Sequence, residues 1–270
     1  MKLIIFTDLD STLLDHNTYS FEEARPALRL IKEEDVPLIL CTSKTFAETQ
    51  HYQEILGINH PFIVEDGGAI YIPKNYFGFG FEHNEKKGFL IIELGTPYNS
   101  LRKALMEIRE ELKKPLVGFG DMSHEEIARE TGLSMEQAGR AAEREYDEPF
   151  RFEGDEDKLK ELVKRKDLRL SKGGRYYHIT GKNDKGEAVA LLSNFFKRKY
   201  GKEQVITIGI GDSENDFAML DQVDEAYLVQ RADKSYASEN YIKAEDIGPK
   251  GWNKVVETKI KEIFKLDKKR

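Results

Sequence analysis

The first dozen residues constrain this chain more than any other stretch. Lys2-Leu3-Ile4-Ile5-Phe6-Thr7 is an apolar run too short for a helix and bounded by polar residues, which predicts a strand buried on both faces. It runs into Asp8-Leu9-Asp10-Ser11-Thr12, and the two-residue period of a strand points Asp8 and Asp10 to the same side. Open α/β sheets bind ligands just beyond the carboxyl ends of their strands. Two carboxylates there repel each other unless a cation lies between them. The pair therefore predicts a hard-cation site, Mg²⁺ by preference, that handles phosphate. Alone, it fits a solvated strand end or a helix cap equally well, and later stretches decide.

Val36-Pro37-Leu38-Ile39-Leu40-Cys41 reads as a second buried strand ending in Thr42-Ser43-Lys44-Thr45. Hydroxyls and an ammonium at a strand end that opens a helix suit an anion. Before it, Ser20-Phe21-Glu22-Glu23 has the form of a capping box and predicts a helix with Ala24, Leu28 and Ile31 on one face. Pro61–Val64, Glu65-Asp66-Gly67-Gly68 and Ala69–Ile72 read as strand, turn and strand. Asp66 falls at a strand end on the presumed site side.

From about Gly88 to Thr180 strand-like runs (Phe89–Leu94, Leu116–Phe119, Pro149–Phe152, Tyr176–Ile179) alternate with helical ones. The helices are expected at Ser100–Lys113, Ser123–Thr131, Ser134–Tyr146 and Asp155–Lys166. This predicts an α+β unit inserted into the larger domain as a lid over a strand-end site. Within it, Arg140 and Arg144 share a helical face, and Gly173-Gly174-Arg175 pairs a possible backbone anion nest with a guanidinium. Solvated charges and a plain hairpin turn explain these two features as well.

The second half of the core opens with Asn183-Asp184-Lys185-Gly186, where a lysine in the first helical turn opposes the usual acidic preference and points to an anionic site. Val205–Ile208 then leads as a strand into Gly209-Ile210-Gly211-Asp212-Ser213-Glu214-Asn215-Asp216. A strand, glycines and two acids suit a divalent cation with oxygen ligands. Ala226–Val229 reads as the last strand and Gly251–Phe264 as a closing amphipathic helix. The expected fold is α/β: a Rossmann-like parallel-sheet core, residues 1–84 and 181–270, with an α+β cap over residues 85–180.

Four elements now stand in order: Asp8-x-Asp10-x-Thr12, Thr42, Lys185 and Gly211-Asp212-x-x-x-Asp216. Together they resemble the haloacid dehalogenase superfamily, over the whole chain, and the insertion between the second and third resembles its Cof-type branch. Thr42–Thr45, Glu65–Gly68, Val117–Asp121, Arg144–Glu148 and Gly173–His178 resemble, more narrowly, the mannosyl-3-phosphoglycerate phosphatase family within that branch. The resemblance implies that Asp8 is a nucleophile forming an aspartyl-phosphate and Asp10 the general acid and base. Thr42 and Lys185 would hold the transferring oxygens. Mg²⁺ would sit on the Asp8 carboxylate, the Asp10 carbonyl and Asp212, with Asp216 as fourth acid or behind it. Substrate would meet Ser43, Lys44, Asp66, Gly67, Arg140, Gly173, Gly174 and Arg175, with Arg140 or Arg175 on the carboxylate of a phosphorylated sugar-glycerate. Ser11 stands where the superfamily usually has Gly, Lys44 where the branch has Arg, and Asp66 where it has Asn. These changes bear on substrate more than on reaction type.

Two alternatives remain open: a phosphatase of another phosphosugar, such as sucrose or trehalose phosphate, and a signalling module phosphorylated on Asp8. Against the second, Asp10 supplies a group that hydrolyses the phosphorylated state. A net charge of −7 argues against a nucleic-acid surface. The single Cys41 excludes a disulfide framework. Neither a signal-peptide core nor an apolar run of membrane-spanning length is present, so a cytoplasmic location is expected. Abundant Lys, Glu and Arg with few Gln match a thermophile. Mannosylglycerate, a compatible solute typical of thermophiles, agrees with that reading. Oligomeric state is not legible.

Overall fold

The computed structural model describes residues 1–173 and 176–267. In chain order the first part runs β1 (Lys2–Thr7), α1 (Arg25–Glu33), β2 (Leu38–Leu40), α2 (Phe46–Leu56), β3 (Phe62–Val64), β4 (Ala69–Pro73), β5 (Asn84–Lys86) and β6 (Phe89–Glu93). The middle runs α3 (Tyr98–Leu112), β7 (Leu116–Gly118), α4 (His124–Thr131), α5 (Met135–Ala142), β8 (Asp147–Phe152), α6 (Glu156–Arg165), β9 (Arg169–Gly173) and β10 (Tyr176–Thr180). The last part runs α7 (Lys185–Tyr200), β11 (Val205–Gly211), α8 (Phe217–Leu220), β12 (Glu225–Gln230), β13 (Ile242–Ile247) and α9 (Gly248–Asp267).

The core sheet has the order β13-β12-β11-β1-β2, and its strands pair in parallel. Strand β1 lies in its interior, which explains why its sequence is apolar at successive positions. Leu3 and Ile5 point to one face, with Leu28 of α1 and Trp252, Val256 and Ile260 of α9. Ile4 and Phe6 point to the other, with Val189, Leu192 and Phe196 of α7. Each fully buried side chain of this size contributes about 1.5–3 kcal/mol of transfer free energy. The α9 indole also donates to Thr7 Oγ1 at 2.9 Å, and that hydroxyl donates to the Asp8 carbonyl at 2.7 Å. Packing energy is thus coupled to the position of the strand end.

A second sheet, β3-β4-β6-β5, is antiparallel and joins the first through a bridge from Cys41 to Ile63. The third, β7-β8-β10-β9, is also antiparallel and forms the inserted unit with α3 to α6.

Several boundaries differ from the sequence reading, each for a physical reason. Phe89–Glu93, read with the insertion, pairs with Ala69–Pro73 instead; its Ile91 is buried against core residues that a local pattern does not reveal. The helix expected from Ser20 begins as a 3-10 turn at Glu22–Ala24, and the α-helix starts at Arg25 with Pro26 in its first turn, where a missing N–H costs nothing. The helix expected to reach Tyr146 stops at Ala142. Its would-be continuation donates the N–H groups of Glu145 and Tyr146 to the Glu65 carboxylate at 2.8–3.2 Å. Ile242–Ile247 adds an edge strand after Ala226–Val229. Its charged, largely exposed sequence lacks the apolar signal that marks the inner strands.

Candidate active site

The carboxyl end of β1 is completed by its neighbours in the sheet. Strand β11 brings Asp212 alongside, β2 brings Thr42, and the first residue of α7 is Lys185. Asp184 caps that helix by accepting from Glu187 N–H at 3.0 Å. This fixes the first turn, and the Lys185 side chain runs inward with none of its surface exposed. Its Nζ donates to Asp8 Oδ1 at 2.8 Å and Asp216 Oδ1 at 2.7 Å, with Asp66 Oδ1 at 3.7 Å. Burial favours the neutral amine, but Asp216 and Asp8 outweigh it and raise the Lys185 pKa well above its ordinary value. The lysine is therefore a fixed cation.

Asp216 has a second duty. Its Oδ2 accepts from the backbone N–H groups of Asp212 at 3.0 Å and Ser213 at 3.2 Å, closing the loop after β11. Gly211 is required there, because a Cβ would lie 2.5 Å from the Asp216 side chain. Ligand oxygens of Asp8, Asp212 and Asp216 all lie within 4.8 Å of one another. Burial first, and then Asp216, raise the Asp212 carboxyl to about 6, the mark of crowded acids that a cation would relieve. The donor set is all oxygen, as a hard divalent cation requires. One lysine offsets one of three carboxylates, so the site fits such an ion.

Asp10 stands apart from that group. Its Oδ2 pairs with Lys44 Nζ at 2.8 Å, while its Oδ1 is buried without a hydrogen-bond partner among the described residues. A buried carboxylate oxygen left open has lone pairs available for a proton. Thr42 is fully buried, and its hydroxyl accepts from Lys44 N–H at 3.2 Å, which leaves its own hydrogen to donate. Ser11 takes φ of +61° in the tight turn between the two aspartates and Thr12.

Between the inserted unit and the core is a cavity of about 570 Å³. Its core side is formed by Ser43, Asp66 and the Ser213–Asn215 loop, and its far side by Ser171, Lys172 and His178. Asp66 thus reaches it as expected from its strand-end position. Asn215 Nδ2 donates to Asp66 Oδ1 at 3.4 Å. Gly67, with φ of +88°, sits where a Cβ would lie 2.1 Å from the Asp184 carbonyl oxygen. It acts by letting the hairpin turn approach the start of α7. Lys44 and Arg140 line a different, much smaller space of about 40 Å³ beside Tyr19 and Tyr52. Arg140 pairs with Glu136 at 2.7 Å, and the two also line a further space of about 400 Å³ with Phe46 and Lys87. Gly173 ends β9, and Gly174 and Arg175 lie outside the described residues.

A profile of haloacid dehalogenase-like hydrolases matches residues 5–114 and 123–243. The chain belongs to the haloacid dehalogenase-like hydrolases. A relative from Methanococcoides burtonii, a glucosyl-3-phosphoglycerate/mannosyl-3-phosphoglycerate phosphatase, is 47% identical over 264 residues, covering 95% of this chain and 96% of its own. A protein of the same name from Persephonella marina is 43% identical, covering 97% and 98%. Among solved structures, a Thermoplasma acidophilum protein superposes with a TM-score of 0.67 at 16% identity, covering 96% of this chain and 98% of its own. That likeness concerns the fold.

Within this hydrolase, sequence reasoning missed Glu65, Asp147 and His178. Glu65 is buried and ties the core turn to the start of β8 through the Glu145 and Tyr146 N–H groups. Asp147 Oδ2 holds His178 Nδ1 at 2.8 Å and Arg144 Nη1 at 3.2 Å. Arg144 Nη1 also donates to the Ser43 carbonyl at 3.0 Å. All three lie in stretches that carry the resemblance, Glu65–Gly68, Arg144–Glu148 and Gly173–His178, and none of these stretches singles them out.

Proposed function

We propose that this hydrolase is a Mg²⁺-dependent phosphatase that converts mannosyl-3-phosphoglycerate into mannosylglycerate and phosphate. The observation that carries the reading is the convergence of Asp8, Asp212 and Asp216 on one cation-demanding point, with Lys185 fixed between two of them and an open Asp10 oxygen nearby. The substrate comes from the relatives that align over nearly the whole chain. Both carry the glucosyl compound in their names as well, so it stands as a second substrate.

The Asp8, Asp212 and Asp216 carboxylates, with the Asp10 carbonyl, would hold the ion; once bound, Mg²⁺ supplies charge neutralisation for the phosphoryl oxygens. The chain's own groups do the rest. An Asp8 carboxylate oxygen attacks phosphorus, and the bond to the glycerate oxygen breaks with its electron pair leaving on that oxygen. Asp10, protonated for this half-reaction, gives it the proton. Water then attacks the aspartyl-phosphate while the Asp10 carboxylate takes a proton from it. The Asp8–phosphorus bond breaks, and phosphate leaves. Thr42 and Lys185 donate to the transferring oxygens, where fixed donors act most strongly on developing charge. We place the cap at about 95–180, later than the sequence boundary of 85, because both β5 and β6 are laid on the core hairpin.

Phosphate release with Mg²⁺ tests this on mannosyl-3-phosphoglycerate, 3-phosphoglycerate, mannose 6-phosphate, sucrose 6-phosphate and p-nitrophenyl phosphate, with Asp8→Asn as blank. The expected kcat/KM favours the first by about 10²-fold or more, the scale on which paired polar groups discriminate. Equal, weak rates across the panel would overturn the substrate. A phosphorylated Asp8 surviving for minutes with Mg²⁺ would favour the signalling alternative.

A further inference from the structure

The cap sheet has two unlike faces. Phe150, Phe152, Tyr177 and Ile179 point to one side, into an apolar cluster with Leu101, Leu105 and Leu159 of the cap helices. Strand periodicity sends His178 to the opposite side, where it pairs across the ladder with Ser171, and both line the 570 Å³ cavity. Lys172 also lines the cavity, but its ammonium is engaged by the Tyr177 hydroxyl at 3.1 Å and Glu156 at 3.9 Å.

The His178 ring is fixed. Its Nδ1 lies 2.8 Å from Asp147 Oδ2, and the Asp147 side chain is only 3% exposed. Asp147 is fixed in turn by Arg144, whose guanidinium also reaches the Ser43 carbonyl of the core. An imidazole with a carboxylate on Nδ1 presents Nε2 to whatever fills the cavity.

The charges around it choose the ligand. A phosphomonoester whose phosphate sits at Asp8 must send its other groups up the cavity. The core side of that cavity carries Asp66 and Glu214, which repel a second anion. The charged groups facing the imidazole are Asp147 from β8, Arg144 from the segment before it and Asp66 from the core turn. Burial disfavours its charge, but Asp147 outweighs burial and raises the imidazole above its ordinary pKa. The His178 face of the cap is thus where a substrate carboxylate finds a hydrogen-bonding cation.

We propose that His178, positioned by Asp147, is the specificity-determining residue that binds the carboxylate of the phosphoglycerate substrate through Nε2–H. This rests on the phosphatase reading above and adds to it the group that recognises the acid. His178 takes no part in the chemical step. It acts on binding of carboxylated substrates while protonated, and loses its hold as pH rises through its elevated pKa.

Steady-state kinetics of His178→Gln against wild type provide the test, on mannosyl-3-phosphoglycerate and on p-nitrophenyl phosphate, which has no carboxylate. KM for the first is expected to rise about tenfold or more, the scale of one hydrogen bond to a charged group, with kcat nearly unchanged and both constants for the second unmoved. Wild-type KM for the first should climb with pH across the imidazole titration, and the variant should lose that climb. Asp147→Asn should move the climb to lower pH. Equal losses on both substrates, or an unmoved KM, would overturn the proposal. If wild type itself showed no preference for the carboxylated substrate, the mannosyl-3-phosphoglycerate assignment would fail first and take this with it. Should the variant not fold, the NMR titration of His178 in wild type decides. Saturating mannosylglycerate must raise its pKa, and an unmoved pKa refutes carboxylate binding.

Discussion

The two ends of the cavity are built differently. At the core end, Asp8, Thr42, Lys185 and Asp212 are each held within a residue or two of a strand end or a helix start, so local spacing alone delivers them to one point. Lys185, Asp8 and Asp216 are all nearly inaccessible to solvent there. At the cap end, geometry is held by contacts between distant residues: Glu65 with Tyr146, Arg144 with Ser43, and Asp147 with His178. The core end suits chemistry common to many phosphomonoesters, because on the proposed reading its groups meet the phosphate alone. The cap end suits discrimination, because it meets only what lies beyond the phosphate.

The sharpest way to break this division is Lys185→Met. It leaves Asp8 and Asp216 buried without their cation, a loss on the order of 3–5 kcal/mol for a broken buried pair. It also lowers kcat by about 10²–10³-fold for every phosphomonoester alike. Thermal unfolding and rates on two unlike substrates check both parts. Added Mg²⁺ should restore more melting temperature to the variant than it gives wild type, since the ion takes over neutralisation.

Glu65 joins the two ends, and its removal should loosen one from the other. Glu65→Ala strands two N–H groups and is expected to cost about 2–4 kcal/mol in denaturant unfolding. KM for the carboxylated substrate should rise more than KM for p-nitrophenyl phosphate. Burial pushes the Glu65 carboxyl up to about 8 from its ordinary 4.5, against the pull of Arg144 and the two N–H groups. The folded state then holds the Glu65 proton more tightly than the unfolded chain between those values. Its contribution to stability therefore falls as pH rises from about 4.5 through about 8. Glu65→Gln should flatten that slope in unfolding curves taken across the range.

The smallest effect sharpens the core side. Ser11 holds φ of +61° directly after Asp10, a conformation that strains a residue with a Cβ. Ser11→Gly should raise stability by about 1 kcal/mol, with substrate preference unmoved. A shift in the ratio of rates on carboxylated and plain substrates would mean that the turn, and not the cap, takes part in recognition.

The same contrast explains what could be read from the residues. Strand β1, the acid pair, the out-of-place first-turn lysine and the glycine-flanked Asp212 each declare themselves within a few positions, and the parallel core followed from them. The placement of Arg140 away from the 570 Å³ cavity did not. Its position on a helix face is local information, but the partner of that face, the start of α2 where Thr45 Oγ1 donates to the Arg140 carbonyl at 2.8 Å, is 95 residues away. Helix α5 was overextended for the same reason: the competing acceptor for its next N–H groups is Glu65, about 80 residues upstream. His178 was visible as the end of the Gly173–His178 stretch but not as a site residue, because Asp147 becomes its partner only when β10 pairs with β8.

The central claim is that one core-borne nucleophile serves every substrate and the cap governs only access to it. Rapid-quench sampling of wild type with mannosyl-3-phosphoglycerate and with p-nitrophenyl phosphate, followed by peptide mapping, addresses it directly. The account predicts a phosphoryl group on the Asp8 peptide from both substrates. It should form much faster from the first and then decay at one common rate, because the second half-reaction has lost all trace of the leaving group. Absence of phosphorylated Asp8, or decay rates that differ with the substrate that delivered the phosphate, would contradict it.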